Sequence, residues 1–175
     1  MENQVLTAIA DRRSIRAYKD QEVTQEQIDR ILEAAGQSPS ARNGQPWFLS
    51  VVRNQELIKE INSEIIKNSG RDQTDIFYGA PLVIFISCDY PNNKWAMIDS
   101  GIIVQTIALA AHSLGLGSVI LGYPAYAFEG EEADKIKDLL KMPDGYVFAI
   151  AIAIGVPATT KDAHPVLPDK ICFID

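Results

Sequence analysis

Close to the N-terminus, the stretch ADRRSIRAYKD places Arg12, Arg13 and Arg16 around Ser14. Guanidinium groups present forked, planar donors that match a phosphate monoester, and a serine hydroxyl can fill a remaining acceptor position. The chemistry available to such a cluster is recognition of one phosphate. The same residues also read as a solvated basic turn after a helix, offsetting the negative end of its macrodipole. The elements around the cluster have to separate the two readings.

A short helix is expected over Glu2 to Ala10, directly before the arginines. TQEQIDRILEAAG predicts a second helix, with Thr24 as N-cap and Gln27 at capping-box spacing. Its apolar face is Ile28, Ile31, Leu32 and Ala35, and Gly36 and Pro39 end it. The polar loop QSPSARNGQP leads into WFLSVVR, whose aromatic and β-branched content predicts a strand. A third helix from Asn54 carries Leu57, Ile58, Ile61 and Ile65 at amphipathic spacing. PLVIFISC is a continuous apolar run suited to a strand covered on both faces. From Met97 to Leu114, apolar residues occupy most of the circumference, which predicts a buried helix at the centre of the core. SVILGY and YVFAIAIAI supply two more strands, with a helix over EEADKIKDLLK between them. Beyond the loop PATTKDAHPVLP, the apolar tail PDKICFI is expected to dock on another subunit. Strands and helices without a strict βαβ order predict an α+β domain.

The composition narrows the function. A chain of 175 residues with 47% hydrophobic and 22% charged residues suits one domain over residues 1–175. Net charge is -7 and the pI is about 4.8, so nucleic acid binding would need a concentrated basic face, and none is present. Cys88 and Cys172 lie in apolar surroundings without metal-ligand or CxxC spacing, which reads as two buried, reduced thiols in a cytoplasmic protein. The longest apolar stretches are shorter than the roughly 20 residues that cross a bilayer, so no membrane partner is expected. Gly115, Gly117 and Gly122 follow a helix and precede a strand, the reverse of a dinucleotide-binding loop, and read as a tight turn out of the helix. His112 and His164 share no ligand spacing, so no metal is expected. No serine sits in a nucleophile-elbow pattern.

Two motifs at a set distance, RRSIRAY (Arg12 to Tyr18) and SPSARNGQPW (Ser38 to Trp47), occur with FYGAP (Phe77 to Pro81), DSGIIVQTIALAAHSLGLGS (Asp99 to Ser118) and an AIGVP stretch ending at Pro157. Together they resemble the nitroreductase family of FMN-dependent flavoproteins over nearly the whole chain. The resemblance implies an α+β fold with a central, mostly antiparallel sheet packed by helices. It implies an intertwined homodimer with FMN at the subunit interface, a C-terminal strand (about 168–175) exchanged with the partner, and NADH or NADPH as electron donor. The implied activity is that of an FMN-dependent NAD(P)H oxidoreductase, which reduces nitroaromatic, quinone or similar small acceptors by ping-pong hydride transfer through flavin N5. Alternatives are a flavin-binding sensor or carrier without nicotinamide turnover, or dehalogenation or flavin cleavage on the same fold.

Carried over by position, Arg12, Arg13 and Ser14 hold the FMN phosphate and ribityl chain. Arg16 reaches the pyrimidine edge as an electrostatic stabiliser of the reduced flavin. The second subunit's Pro39, Ser40, Ala41 and Asn43 line the other side, with Gln45 close by, and the backbone at Leu121 and Gly122 approaches N5. No side chain is expected to be catalytic, because the flavin carries the redox chemistry. The residue types suit these roles: amides such as Asn43 and Gln45 can meet an edge of alternating donors and acceptors, although turn-rich loops share that composition. A fixed cation near N1 and O2 stabilises charge without reorganising. The chain departs from the family pattern at the tail, where His164 and Val166 stand in place of a lysine and an arginine, and at Ala41, where a hydroxyl is common. In the segment before FYGAP, where the family often has an amide and a basic residue near the ring, this chain has Asp72, Gln73 and Asp75.

Overall fold

The elements run α1 (Gln4–Asp11), α2 (Gln25–Gly36), β1 (Trp47–Val52), α3 (Gln55–Ser69), β2 (Leu82–Cys88), α4 (Ala96–Ser113), β3 (Gly117–Leu121), α5 (Ala133–Leu139) and β4 (Val147–Gly155), with short 3-10 turns at Ala41–Asn43 and Tyr123–Phe128. The computed structural model describes residues 3–70, 72, 74–163, 165 and 170–174. Local signals set the helix starts. Thr24 and Gln27 close the expected capping box, and the side chains of Asn3 and Asn54 accept from the first free backbone N–H groups of α1 and α3, satisfying donors that a helix start leaves unpaired.

The strands form one antiparallel sheet in the order β1-β2-β4-β3. Strand β2 is buried along its whole length. Its Val83 and Phe85 face the layer of α3, α5 and the 123–128 turn, while Leu82, Ile84 and Ile86 face α2 and α4, as the two-residue period of a strand dictates. The continuous apolar run therefore marks a sheet sandwiched between two helical layers, in agreement with the α+β expectation.

Two expectations are corrected. Helix α4 buries Ile103, Val104, Ile107, Ala108 and Ala111 against the sheet and α2, but Met97, Gly101 and Gln105 are exposed and Ile98 is 57% exposed. Its apolar circumference is thus half core and half outer surface. Cys88 is buried as expected, whereas Cys172 is exposed, because residues 170–174 pack against nothing that buries them and Phe173 is 87% exposed. Helix α1 likewise buries no residue, and Val5, Leu6 and Ile9 face outward.

Candidate functional site

The arginine segment is held by a groove cut into the β3–β4 ladder. Gly117 and Gly155 are register partners across it, so no side chain stands between the strands at that level. Ile15 fills the space over Gly117, where an added Cβ would sit 2.9 Å from its Cγ1, and Tyr18 fills the space over Gly155. The backbone is tied at both ends: Ile15 N–H donates to Ser118 O at 2.9 Å and Lys19 N–H to Val156 O at 2.8 Å. The Tyr18 hydroxyl donates to Ile15 O at 2.9 Å. Burial drives the Tyr18 phenol far above its ordinary pKa, with nearby Arg16 pulling the other way, so the group stays neutral and serves as a strut.

The three arginines carried on this fixed backbone make different contacts. Arg13 turns back on its own helix, donating through Nη1 to Ala10 O and Arg12 O and through Nε to Lys161 O. It caps the carbonyl end of α1 and ties it to the segment after β4, which is the solvated-cap reading realised for one residue of the three. Arg12 lines a cavity of about 220 Å³ with Asp11, Arg13, His112, Ser118 and Thr160, and unlike Arg13 it is not committed to backbone carbonyls. Arg16 is exposed, with its guanidinium carbon 6.0 Å from the centre of the Tyr78 ring. Among the described residues neither Arg12 nor Arg16 meets a carboxylate. The Arg12 and Arg13 guanidiniums lining this cavity, with Ser14 next to them in the chain, suit a monoester phosphate at the end of a polar chain. The cavity is smaller than the roughly 300–1,000 Å³ of a complete small-molecule site.

The second motif lies elsewhere. Ser40 and Ala41 dock on the start of α4, where the carboxylate of Asp99, 3% exposed, accepts from Ala41 N–H at 3.1 Å. A carboxylate in the first turn of a helix is favoured by the positive end of its dipole. The loop is then folded tightly: Asn43 N–H donates to Ser40 O and Gln45 N–H to Ser40 Oγ. Arg42, Asn43 and Gln45 all have positive φ (55°, 53° and 44°), a conformation that disfavours side chains other than Asn and Gly. Their side chains are exposed. At about 1.5 Å of rise per residue, α4 puts Asp99, under this loop, about 20 Å from His112, beside Arg12. Within one chain the two motifs do not meet.

Leu121 ends β3 buried, and Gly122 is exposed at the start of the 123–128 turn. His164 lies outside the described residues. Asp75, in the segment of uncertain role before FYGAP, accepts from Phe77 N–H at 2.8 Å and from Gly79 N–H at 2.6 Å. Its carboxylate shapes a turn. Sequence reasoning gave no role to Asp99, Tyr78 or the Gly117–Gly155 pair. An acid inside an otherwise apolar helix was a visible signal for the first, and the other two depend on contacts made only in the folded chain. No cluster of His, Cys, Asp or Glu among the described residues could hold a metal ion.

The model of the Nitroreductase family matches residues 9–156. A protein of Methanothermobacter thermautotrophicus is 39% identical over 172 residues, covering 95% of this chain and 85% of its own length. The FMN reductase [NAD(P)H] of Bacillus subtilis is 33% identical over 190 residues, covering 96% of this chain and 72% of its own. The crystal structure of a nitroreductase with bound FMN from Desulfitobacterium hafniense superimposes with a TM-score of 0.92 at 36% identity, covering 100% of both chains. With both motifs, the sheet and the match to the family model in agreement, the chain belongs to the nitroreductase family.

Proposed function

We propose that the chain is an FMN-dependent NAD(P)H oxidoreductase whose site is completed by a second copy of itself. The observation that carries this reading is the separation along α4: the Arg12 cavity and the exposed 39–45 loop lie near its opposite ends, about 20 Å apart in one chain, and each is a half-site. The surfaces between them are apolar and uncovered, namely the outer face of α4 with Ile98, the face of α1 with Val5, Leu6 and Ile9, and the tail with Ile171, Phe173 and Ile174. Exposed apolar residues on these segments suit association with another copy. Exchange of the C-terminal stretch (about 168–175) with the partner subunit belongs to the same proposal.

In the assembled site, Arg12 and Ser14 grip the phosphate, with Arg13 contributing whatever donors its capping role leaves. Arg16 faces the pyrimidine edge, near which Leu121 and Gly122 offer backbone. The partner subunit's Pro39, Ser40, Ala41, Asn43 and Gln45 close the other side. When bound, FMN supplies the redox chemistry, hydride exchange at N5 first with a nicotinamide and then, in ping-pong order, with a nitroaromatic, quinone or similar small acceptor. The chain's own contribution is a cation without a competing carboxylate, oriented before the reaction begins.

The purified protein is expected to be a yellow dimer that bleaches under anaerobic addition of NADH or NADPH and regains colour with a quinone. A colourless dimer that cannot be reconstituted with FMN, or a monomer that holds FMN fully, overturns the reading. Bleaching by dithionite but by neither nicotinamide would assign the fold to flavin carriage without turnover.

A further inference from the structure

The turn before β2 holds an aromatic residue where a glycine would be easier. Tyr78 has φ 58° and is followed by Gly79 at φ 70°. The left-handed conformation costs a residue with a Cβ about 1–2 kcal/mol, yet here it is enforced from several sides. Both oxygens of Asp75 accept backbone N–H groups flanking Tyr78, from Phe77 and from Gly79. From α3, the Asn62 side chain accepts from Ile76 N–H at 2.8 Å and donates to Thr74 O at 2.9 Å. Phe77 is fully buried, edge-on to Phe85 with ring centres 5.8 Å apart. The turn is therefore rigid, and its tip is the Tyr78 ring, half-buried against the core cluster on one side and 6.0 Å from the Arg16 guanidinium carbon on the other.

Arg16 has no carboxylate partner among the described residues and is exposed. Left alone, so long a side chain samples many rotamers, and ordering it against a ligand is unfavourable. A ring face at this distance lies at the outer limit of cation–π attraction, where it orients a guanidinium without neutralising it. A carboxylate in the same place would cancel the charge. Strained backbone held by this many hydrogen bonds is the kind of outlier from which a functional role is inferred.

We propose that Tyr78 is a positioning residue for Arg16: the ring, fixed by the Asp75-clamped turn, holds the guanidinium at the edge of the isoalloxazine and so raises the reduction potential of the bound flavin. The proposal rests on the FMN reading given above. It separates the two jobs of the arginine segment, with Arg12 serving retention of the cofactor and the Arg16–Tyr78 pair serving its potential.

The test is the midpoint potential of FMN on the reconstituted holoprotein, measured against a reference dye, together with the affinity for oxidised FMN and the thermal midpoint. Tyr78→Leu is expected to weaken the preference for the reduced over the oxidised flavin about fivefold, a fall of about 20 mV for a two-electron couple at about 30 mV per tenfold, with oxidised FMN held within twofold of wild type. Tyr78→Phe, which keeps the ring, restores the potential. In an Arg16→Ala background the effect of Tyr78→Leu disappears, because nothing is left to position. Should Tyr78→Leu not fold, Tyr78→Gly serves instead, since glycine accepts the left-handed backbone without strain. A potential unchanged in the ring-less variant, or a shift that persists without Arg16, overturns the role of Tyr78 while leaving the FMN site standing. A wild-type chain that binds no FMN overturns that site itself, and this proposal with it.

Discussion

Replacing Arg12 with alanine is expected to weaken FMN retention by about 1.5–3 kcal/mol, the range for losing a charge-assisted hydrogen bond, which is roughly ten- to 150-fold in Kd. The expectation follows from the division of labour among the arginines. Arg13 donates to three backbone carbonyls, and Arg16 lies beside Tyr78, so of the two arginines that line the cavity with His112, Ser118 and Thr160, Arg12 is the one whose donors are left for a ligand. Titration of the apoprotein with FMN, followed by quenching of flavin fluorescence, measures the effect. Arg12→Lys keeps the charge but not the fork and should fall between wild type and alanine. If Arg12→Ala binds FMN as tightly as wild type, the phosphate sits elsewhere. Arg13→Ala provides the contrast: it releases the last carbonyls of α1, so its main loss should appear in thermal stability.

The second large effect is expected at Gly117, which has no side chain to offer a ligand and acts through the room it leaves for Ile15. An added Cβ would lie 2.9 Å from Ile15 Cγ1 and 3.0 Å from its Cβ, and Ile15 is branched at that carbon and cannot swing aside. The backbone of residues 14–16 would have to lift off the β3 edge, lengthening the Ile15 N–H bond to Ser118 O. Gly117→Val should therefore destabilise the fold by about 1–3 kcal/mol, as overpacking does, lowering the thermal midpoint by roughly 5 °C. It should also release FMN, because the arginines ride on that segment. A double variant, Gly117→Val with Ile15→Gly, removes every Ile15 side-chain atom in the clash and should lose less than the two single variants summed, a coupling that independent sites would not show. A Gly117→Val protein that melts with wild type and stays yellow would mean that the groove does not position the arginines.

The sequence was most informative where local physics decides. The Thr24–Gln27 capping box and the uninterrupted apolar run of β2 were readable because their causes lie within a few residues. The outer face of α4 was not, since Ile98 and Met97 carry the same hydropathy whether they are covered by their own chain or by another. The arginine cluster shows the limit from the opposite side. Its residue types read equally as an anion site or a helix cap, and the fold assigns Arg13 to capping by bringing the distant Lys161 carbonyl to it beside the local carbonyls of Ala10 and Arg12. The role of Asp75 was hidden for a similar reason: its carboxylate accepts from backbone N–H groups, which no pattern of side chains reveals. Gly117 and Gly155, far apart in the chain, form a functional pair only through strand register.

The distance that α4 imposes between the two motifs has a genetic consequence. If every pocket draws its cations from one protomer and its closing loop from the other, then a chain crippled only at Arg12 and a chain crippled only in residues 39–45 are each inactive as pure populations. Mixed heterodimers of the two would regain one intact pocket out of two, so co-expression would rescue what neither allele supplies.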